Sequence, residues 1–340
     1  MILIDGSDGE GGGQILRTSL ALSLLTGESV TIDNIRANRP TPGLRPQHLA
    51  GVRALGEIGN STLVGVSLGS SRLTFTPGSV AAGSYAFSIG TAGSTALLLH
   101  SIYLPLLLRP TSPSTLTMTG GTHVSHAPTF DYLRYVWAAW LERIGASISL
   151  EMSQPGFYPR GGGVLTARIA PGAIRDGLIC TTMNRPEGAE IVSVVAGLAD
   201  HIAVRQAKRA EIVLKNAGIR STSRCETIAG GTGSYIHIRF PESDVPNLFT
   251  ALGERGLAAE NVGQAAAEAA IAWHTAGQPV DEHAADQLVL PLALADGPSD
   301  FAVTRVTQHL KTNIDAIGRF LERPIVVEGD IGQTGRVRIG

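Results

Sequence analysis

A glycine-rich turn, a group of arginines and one late histidine are the residues whose types and spacing offer chemistry. Gly9-Glu10-Gly11-Gly12-Gly13-Gln14 follows a short apolar stretch and opens a periodic one. Glycines in such a place allow positive φ and close approach of a ligand to backbone N–H groups, although a tight structural turn uses the same residues. The run is not a dinucleotide fingerprint, because Gln14 stands where the last glycine belongs. It is not a P-loop either. Of the 27 basic residues only Lys208, Lys215 and Lys311 are lysines, and none follows such a run. Arg17, Arg36, Arg39 and Arg45 surround the expected strand-to-helix mouth, where guanidinium groups either grip phosphate in bidentate fashion or serve as solvated charge. Gln47 and His48 begin a helix and either bind a substrate or cap that helix. His309, in Thr307-Gln308-His309-Leu310, enters the last helix. A neutral imidazole there can attack phosphorus, and the helix N-terminus disfavours its cation. As one of nine histidines it also has an ordinary polar role open to it. His123 and His126 lack a third ligand at metal spacing. Glu282 and Asp286 either hold Mg²⁺ beside a nucleotide or cap a short helix.

Hydrophobic periodicity sets out the elements that must position these groups. A strand over Ile2–Ile4, a helix over Gly13–Leu25 and a strand over Val30–Ile35 come first. A helix over Gln47–Ile58 and strands over Leu63–Leu68 and Arg72–Thr76 follow. The order recurs after roughly 80 residues. A helix after Gly90–Thr95 runs to Leu107, then come strand Thr115–Met118, helix Phe130–Ile144 and strands Ala146–Glu151 and Val164–Ile169. A third copy comprises helix Asp286–Ala295, strand Phe301–Val306, helix Leu310–Leu321 and strand Ile325–Glu328. Between the second and third copies lie strand Cys180–Asn184, helix Glu190–Lys215 broken near Asp200, strands Ser223–Thr227 and Ser234–Phe240, and helix Asn261–His274. The expected fold class is therefore α/β (α+β). Residues 1–180 plus 277–340 form three helix-backed sheet units, and 181–276 form a smaller inserted α/β domain.

Composition narrows the function classes. The chain has 340 residues, 43% hydrophobic and 16% charged, which excludes a disordered segment. Its 41 glycines follow no triplet period, and a net charge of −2 excludes a basic nucleic-acid wrapper while leaving room for a local arginine groove. Cys180 and Cys225 allow one intrachain disulfide at most and no zinc set. The apolar window Ala96–Leu108 is interrupted by His100 and Pro105 and is too short for a bilayer. Met1–Asp5 reads as a strand rather than a signal peptide. A soluble, cytoplasmic protein without a membrane partner is expected.

The marker Gly156-Phe157-Tyr158-Pro159-Arg160-Gly161-Gly162-Gly163-Val164 and the opening Asp5-Gly6 through Arg17 resemble those of RNA 3'-terminal phosphate cyclases. So do Ile35-Arg36-Ala37, Pro42-Gly43-Leu44, Gln47-His48-Leu49, Gly120-Gly121-Thr122 and Asp281-Glu282-His283 with Asp286-Gln287. The matches run in order from residue 1 to about 325. The resemblance implies three related β/α units plus an insert. It also implies that His309 carries AMP, that Glu10, Arg17, Arg36, Arg39, Gln47 and His48 handle phosphates and the RNA end, and that Glu10 and Asp286 lie near a divalent cation such as Mg²⁺. His100, Phe249, His283, Asp286 and Gln287 would line the ATP site, with His283 and Phe249 flanking the base. Two departures stand out. His100 occupies a position that is Gln in relatives, and Pro155 precedes the marker where a basic residue is usual.

The activity implied is ATP-dependent conversion of an RNA 3'-phosphate to a 2',3'-cyclic phosphate through histidine–AMP and RNA-phosphate–adenylate intermediates. Its partners would be ATP and RNA 3'-phosphate ends. Cyclase-like proteins that only bind RNA during ribosomal RNA maturation are the alternative, but these should have lost the histidine retained here as His309.

Overall fold

The computed structural model describes residues 1–340. It opens with β1 (Ile2–Asp5), α1 (Gly13–Thr26), β2 (Val30–Asp33), α2 (Pro46–Ile58), β3 (Thr62–Val64) and β4 (Leu73–Thr76), whose strands lie in the order β1-β2-β4-β3. β1 and β2 are parallel, Ile2 opposite Val30, so a crossover must join them, and α1 supplies it. Next come β5 (Ser84–Ser88), α3 (Thr95–Leu108) and β6 (Ser114–Gly120). A composite helix follows, made of α4 (Phe130–Tyr132), a π-helical turn (Leu133–Trp137) and α5 (Ala138–Arg143). With β7 (Ile148–Gln154) and β8 (Gly163–Ile169) the second sheet has the order β5-β6-β8-β7.

The chain then passes through β9 (Ile179–Cys180) to β10 (Gly188–Ala196), α6 (His201–Asn216), β11 (Arg220–Ile228), β12 (Gly233–Arg239), β13 (Phe249–Leu252) and α7 (Ala259–Ala276). These strands form a third sheet, β11-β10-β12-β13. It ends with α8 (Glu282–Ala293), β14 (Ser299–Val303), α9 (Gln308–Gly318), β15 (Ile325–Glu328) and β16 (Gly335–Ile339). The last sheet, β15-β16-β14-β9, takes β9 from before the third sheet. Cys180 lies opposite Phe301, and Val280 bridges Val303, so the chain leaves from and returns to the same strand, β14.

Helix α1 organises the core. Eleven of its residues are buried, and it packs against α2, α3 and α9. α3 is apolar on nearly every face and is buried, which explains its unbroken hydrophobic run. No helix is long and apolar enough to cross a membrane, and both cysteines are free.

The expected helix from Glu190 is corrected by the structure: Gly188–Ala196 is strand β10. Ile191 through Ala196 are all buried, between β11 on one side and β12 on the other. A strand covered on both faces loses its alternation, and its β-branched Ile191, Val192, Val194 and Val195 then decide the conformation. The helix begins only at His201. The strand expected at Cys180–Asn184 ends at Cys180 and belongs to the last sheet. The short strands β5, β13 and β16 were not anticipated.

Gly263 in α7 lies against the backbone of α6, and a Cβ there would collide with the Gln206 carbonyl. The clashing atoms belong to the α6 backbone, and the buried Gln206 side chain is tied to Ser193 and Ser234 at 2.8 and 3.0 Å, so relief requires the helix itself to shift. Gly263→Ala is expected to destabilise this region by about 1–3 kcal/mol. Denaturation followed through Trp273 fluorescence reads this directly.

Candidate active site

The N-terminal ends of α1 and α9 meet at one cleft of about 1160 Å³. Thr18 Oγ1 donates to Asn313 Oδ1 at 2.7 Å and ties the two helices together. Thr307 caps α9 by accepting the Leu310 N–H at 3.1 Å, which sets His309 in its first turn. Gly9 takes φ +56 at the turn, facing Thr312. A Cβ on Gly13 would come within 2.6 Å of His48 Nε2, so glycine there lets that imidazole reach the start of α1.

His309 is held from two sides. Its Nδ1 lies 3.1 Å from Gln14 Oε1, and its Nε2 lies 2.9 Å from Glu10 Oε2. The Gln14 amide nitrogen donates to Asp286 Oδ1. A carboxylate only accepts, so the NH₂ group of Gln14 must face Asp286 and its oxygen must face His309. Nδ1 therefore carries a proton, and in the neutral ring Nε2 holds the lone pair. The Glu10 contact becomes a hydrogen bond when Nε2 is protonated as well. Asn313 Nδ2 donates to the Asp286 backbone carbonyl at 2.9 Å and to its Oδ1 at 3.2 Å. Burial pushes the Asp286 carboxyl up from its usual range, while Gln14, His309 and Arg17 oppose the rise.

The arginines occupy one side of this arrangement. Arg39 Nη2 stands 3.6 Å from Glu10 Oε2, so Glu10 lies between Arg39 and His309. Arg17 lines the cleft; burial lowers its pKa and Asp286 counters this. Arg36 is partly committed to its own loop, donating through Nη1 to the Thr41 and Gly43 carbonyls at 2.6 and 3.0 Å. Gln47 Oε1 accepts the Ser94 N–H at 3.0 Å. His48 Nδ1 accepts the Arg45 N–H at 3.3 Å, which leaves the ring proton on Nε2. Burial, then Arg36, Arg17 and Arg45, lower the His48 pKa to about 3.

The opposite wall is more apolar. His100 packs against Trp137 with the rings tilted and their centroids 4.8 Å apart, and burial followed by Arg17 lowers its pKa to about 3. Its Nε2 and the Oε1 of Gln287 are both buried without a hydrogen-bond partner, and both residues line the cleft. Phe249 and His283 also line it; Phe249 packs on Trp273, and His283 is exposed in the first turn of α8. Asp281 caps α8 and accepts a hydrogen bond from Tyr132 at 2.9 Å.

All twelve expected site residues thus stand in or beside one cleft, with Glu10 reaching it through His309. His123 and His126 do not form a metal site. His123 is buried between Phe157 and Tyr235 and bonds Asp131 at 3.2 Å. Pro155 is buried under the Gly230–Gly231 turn, so its position is apolar packing. Sequence reasoning did not assign Gln14 or Asn313. Asn313 lies four residues after His309, on the same helix face, and that spacing was the available signal.

Comparison with known proteins follows the same residues. The family model for RNA 3'-terminal phosphate cyclase matches residues 8–327. The chain belongs to the RNA 3'-terminal phosphate cyclase family. Within this family of enzymes, a relative from Pyrobaculum neutrophilum is 43% identical over 326 residues, 94% of this chain and 93% of the relative. One from Archaeoglobus fulgidus is 42% identical over 331 residues, covering 97% and 98% of the two chains. One from Ectopseudomonas mendocina is 39% identical over 327 residues, covering 96% and 94%. Each of the three is named RNA 3'-terminal phosphate cyclase.

The two depressed histidines of this cyclase-family cleft make stability depend on acidity. Their folded pKa of about 3 lies below the ordinary 6.5, so the unfolded chain binds protons first as pH falls. Their contribution is complete above pH 6.5 and is lost toward pH 3. The slope is up to about 1.4 kcal/mol per pH unit for each. Thermal denaturation from pH 7 to 4 should show a shallower decline in His100→Gln than in the wild type.

Proposed function

We propose that this protein uses ATP to convert an RNA 3'-terminal phosphate to a 2',3'-cyclic phosphate, with His309 as the covalent carrier of AMP. The observation that carries the reading is the hold on His309. Gln14 keeps the proton on Nδ1, and Glu10 lies against Nε2, the nitrogen that must attack.

In the first step Glu10 takes the Nε2 proton where the ring is charged. The Nε2 lone pair then attacks the α-phosphorus of ATP. An N–P bond forms, the bond from α-phosphorus to the bridging oxygen breaks, and pyrophosphate leaves with the electron pair. In the second step an oxygen of the RNA 3'-phosphate attacks the same phosphorus, and the N–P bond breaks in favour of His309. In the third step the neighbouring 2'-hydroxyl attacks the 3'-phosphorus, its proton passes to a base, and AMP departs. Activation is needed because the unmodified phosphate has only oxide or hydroxide to expel. The requirement for a 2'-hydroxyl makes RNA the substrate class.

Arg17 and Arg39 are suited to neutralise charge on the phosphoryl oxygens. Arg36 has Nη2 and Nε left for the RNA end, Gln47 has its amide nitrogen, and His48 offers Nε2–H. His100 Nε2 and Gln287 Oε1 are free for the nucleotide, beside Phe249 and His283. No cluster of three or more metal-ligating side chains exists. Mg²⁺ bound through few protein groups and several phosphate oxygens fits such a site, with Glu10 the accessible carboxylate and Asp286 beyond Gln14. When bound, it would neutralise phosphate charge.

We also read residues 1–180 plus 277–340 as three related units and 181–276 as an inserted domain. The strand order first-second-fourth-third in three of the sheets supports this, as does the departure and return of the chain at β14.

Incubation with ATP labelled at the α-phosphate is expected to leave acid-labile AMP on the peptide containing His309. His309→Asn should lose both the adduct and cyclisation of a 3'-phosphorylated RNA. AMP on Lys311 or another histidine overturns the assignment. Arg17→Ala or Arg39→Ala should lower kcat/KM by roughly 10²-fold or more, as for removal of a single charge-stabilising donor, and the half-exposed Arg39→Ala should do so without lowering Tm.

A further inference from the structure

The loop Gly156–Gly163 carries two adjacent aromatic side chains with opposite surroundings. Phe157 is buried, stacked on His123 with centroids 5.4 Å apart, and it packs with Val192, Val194 and Tyr235 of the third sheet. Tyr158, the next residue, is 79% exposed. The loop that presents it is well anchored. Gly161 N–H donates to the Phe157 carbonyl at 2.7 Å, and the Gly156 carbonyl accepts from Thr122 and His123 at 2.9 and 3.0 Å. Gly161 adopts φ +66, and a Cβ there would come within 2.8 Å of Ala92 Cα and the Thr91 carbonyl. The tip therefore lies directly on the Thr91–Gly93 loop. That loop leads to Ser94, whose N–H is bound by Gln47 in the cleft wall. Arg160, exposed on the same tip, pairs with no carboxylate, unlike Arg336 and Arg338, which both engage Asp300.

We propose that Tyr158 and Arg160 form a platform for the RNA strand upstream of its terminal nucleotide, Tyr158 stacking on a base and Arg160 meeting an adjoining phosphate. This rests on the RNA-end reading of the cleft. Every base has a face that an aromatic ring can cover, and a nearby guanidinium neutralises backbone charge, so the pair binds single strands without selecting a sequence. A tyrosine held on an anchored tip loses little conformational freedom when a base arrives. The marker is thereby divided between two tasks: Phe157 fastens the second sheet to the third, and the three residues after it face the strand.

The test uses the full-length protein, without ATP, and fluorescence anisotropy with two probes: a 3'-phosphorylated hexaribonucleotide and a nucleoside 3'-phosphate in competition. Tyr158→Ala is expected to raise Kd for the hexanucleotide about tenfold, in line with the loss of one base stack. The competing nucleoside 3'-phosphate should show no such rise, and Tyr158→Phe should retain most of the affinity. Arg160→Ala should reduce the steepness of the salt dependence by about one phosphate contact. With 2-aminopurine placed in turn at each of the upstream positions, one position should be quenched in the wild type and in Tyr158→Phe, but not in Tyr158→Ala. Equal losses for both probes, or no quenching at any position, overturn the platform. Cyclisation of the hexanucleotide by the wild type is read separately. Its absence would count against the catalytic reading, while anisotropy and quenching still decide the platform.

Discussion

The contact between α1 and α9 is the constraint on which the rest of the cleft depends. It joins helices that begin almost 300 residues apart, through Thr18 and Asn313, which are separated by 295 positions. A buried hydroxyl-to-amide bond is directional, so it fixes the rotation of each helix as well as their spacing. Once that rotation is set, Gln14 faces His309 and Asp286 together. Asn313 closes the arrangement by binding Asp286 from the next turn of α9. The imidazole is thus oriented by three amide and carboxylate groups that need not touch a substrate.

A second consequence concerns charge. The protein carries a net charge of −2, yet Arg17, Arg36 and Arg39 converge on one wall of the cleft. Burial depresses the neighbouring His48, and Arg36, Arg17 and Arg45 lower it further, while His100 is depressed by burial and then by Arg17. Both imidazoles consequently stay neutral at ordinary pH. They offer hydrogen bonds without adding cations to a wall that already has several. The carboxylates Glu10 and Asp286 lie on either side of the His309–Gln14 pair, where they limit the field of the arginines.

Much of this was legible before any coordinates. The glycine turn with Arg17, the pair Gln47 and His48, and His309 come from three distant stretches of sequence, but each lies at or beside an expected helix start. The helices α1, α2, α3 and α9 were readable because their apolar residues repeat at helical spacing or fill the helix entirely. β10 was not readable, because burial on both faces erased the alternation that would distinguish it from a helix. The short strands β5, β13 and β16 were hidden for a different reason. Their few residues carry too little pattern to stand out, and their conformation is set by the neighbouring strand. The role of Gln14 depended on which end of its amide meets Asp286, and only the three-dimensional arrangement supplies that.

The long separation between the two helices also orders events during synthesis. The glycine turn and Arg17, Arg36 and Arg39 emerge first, followed by two complete sheets and the third. His309 emerges near the end, with Asp286 and Asn313 on the two helices just ahead of β15. Until then a growing chain has most of the arginine wall of the cleft but lacks the imidazole held by Gln14 and Glu10. On the proposed reading of His309, a fragment released early from the ribosome would be inert toward nucleotidylation until the final helices dock.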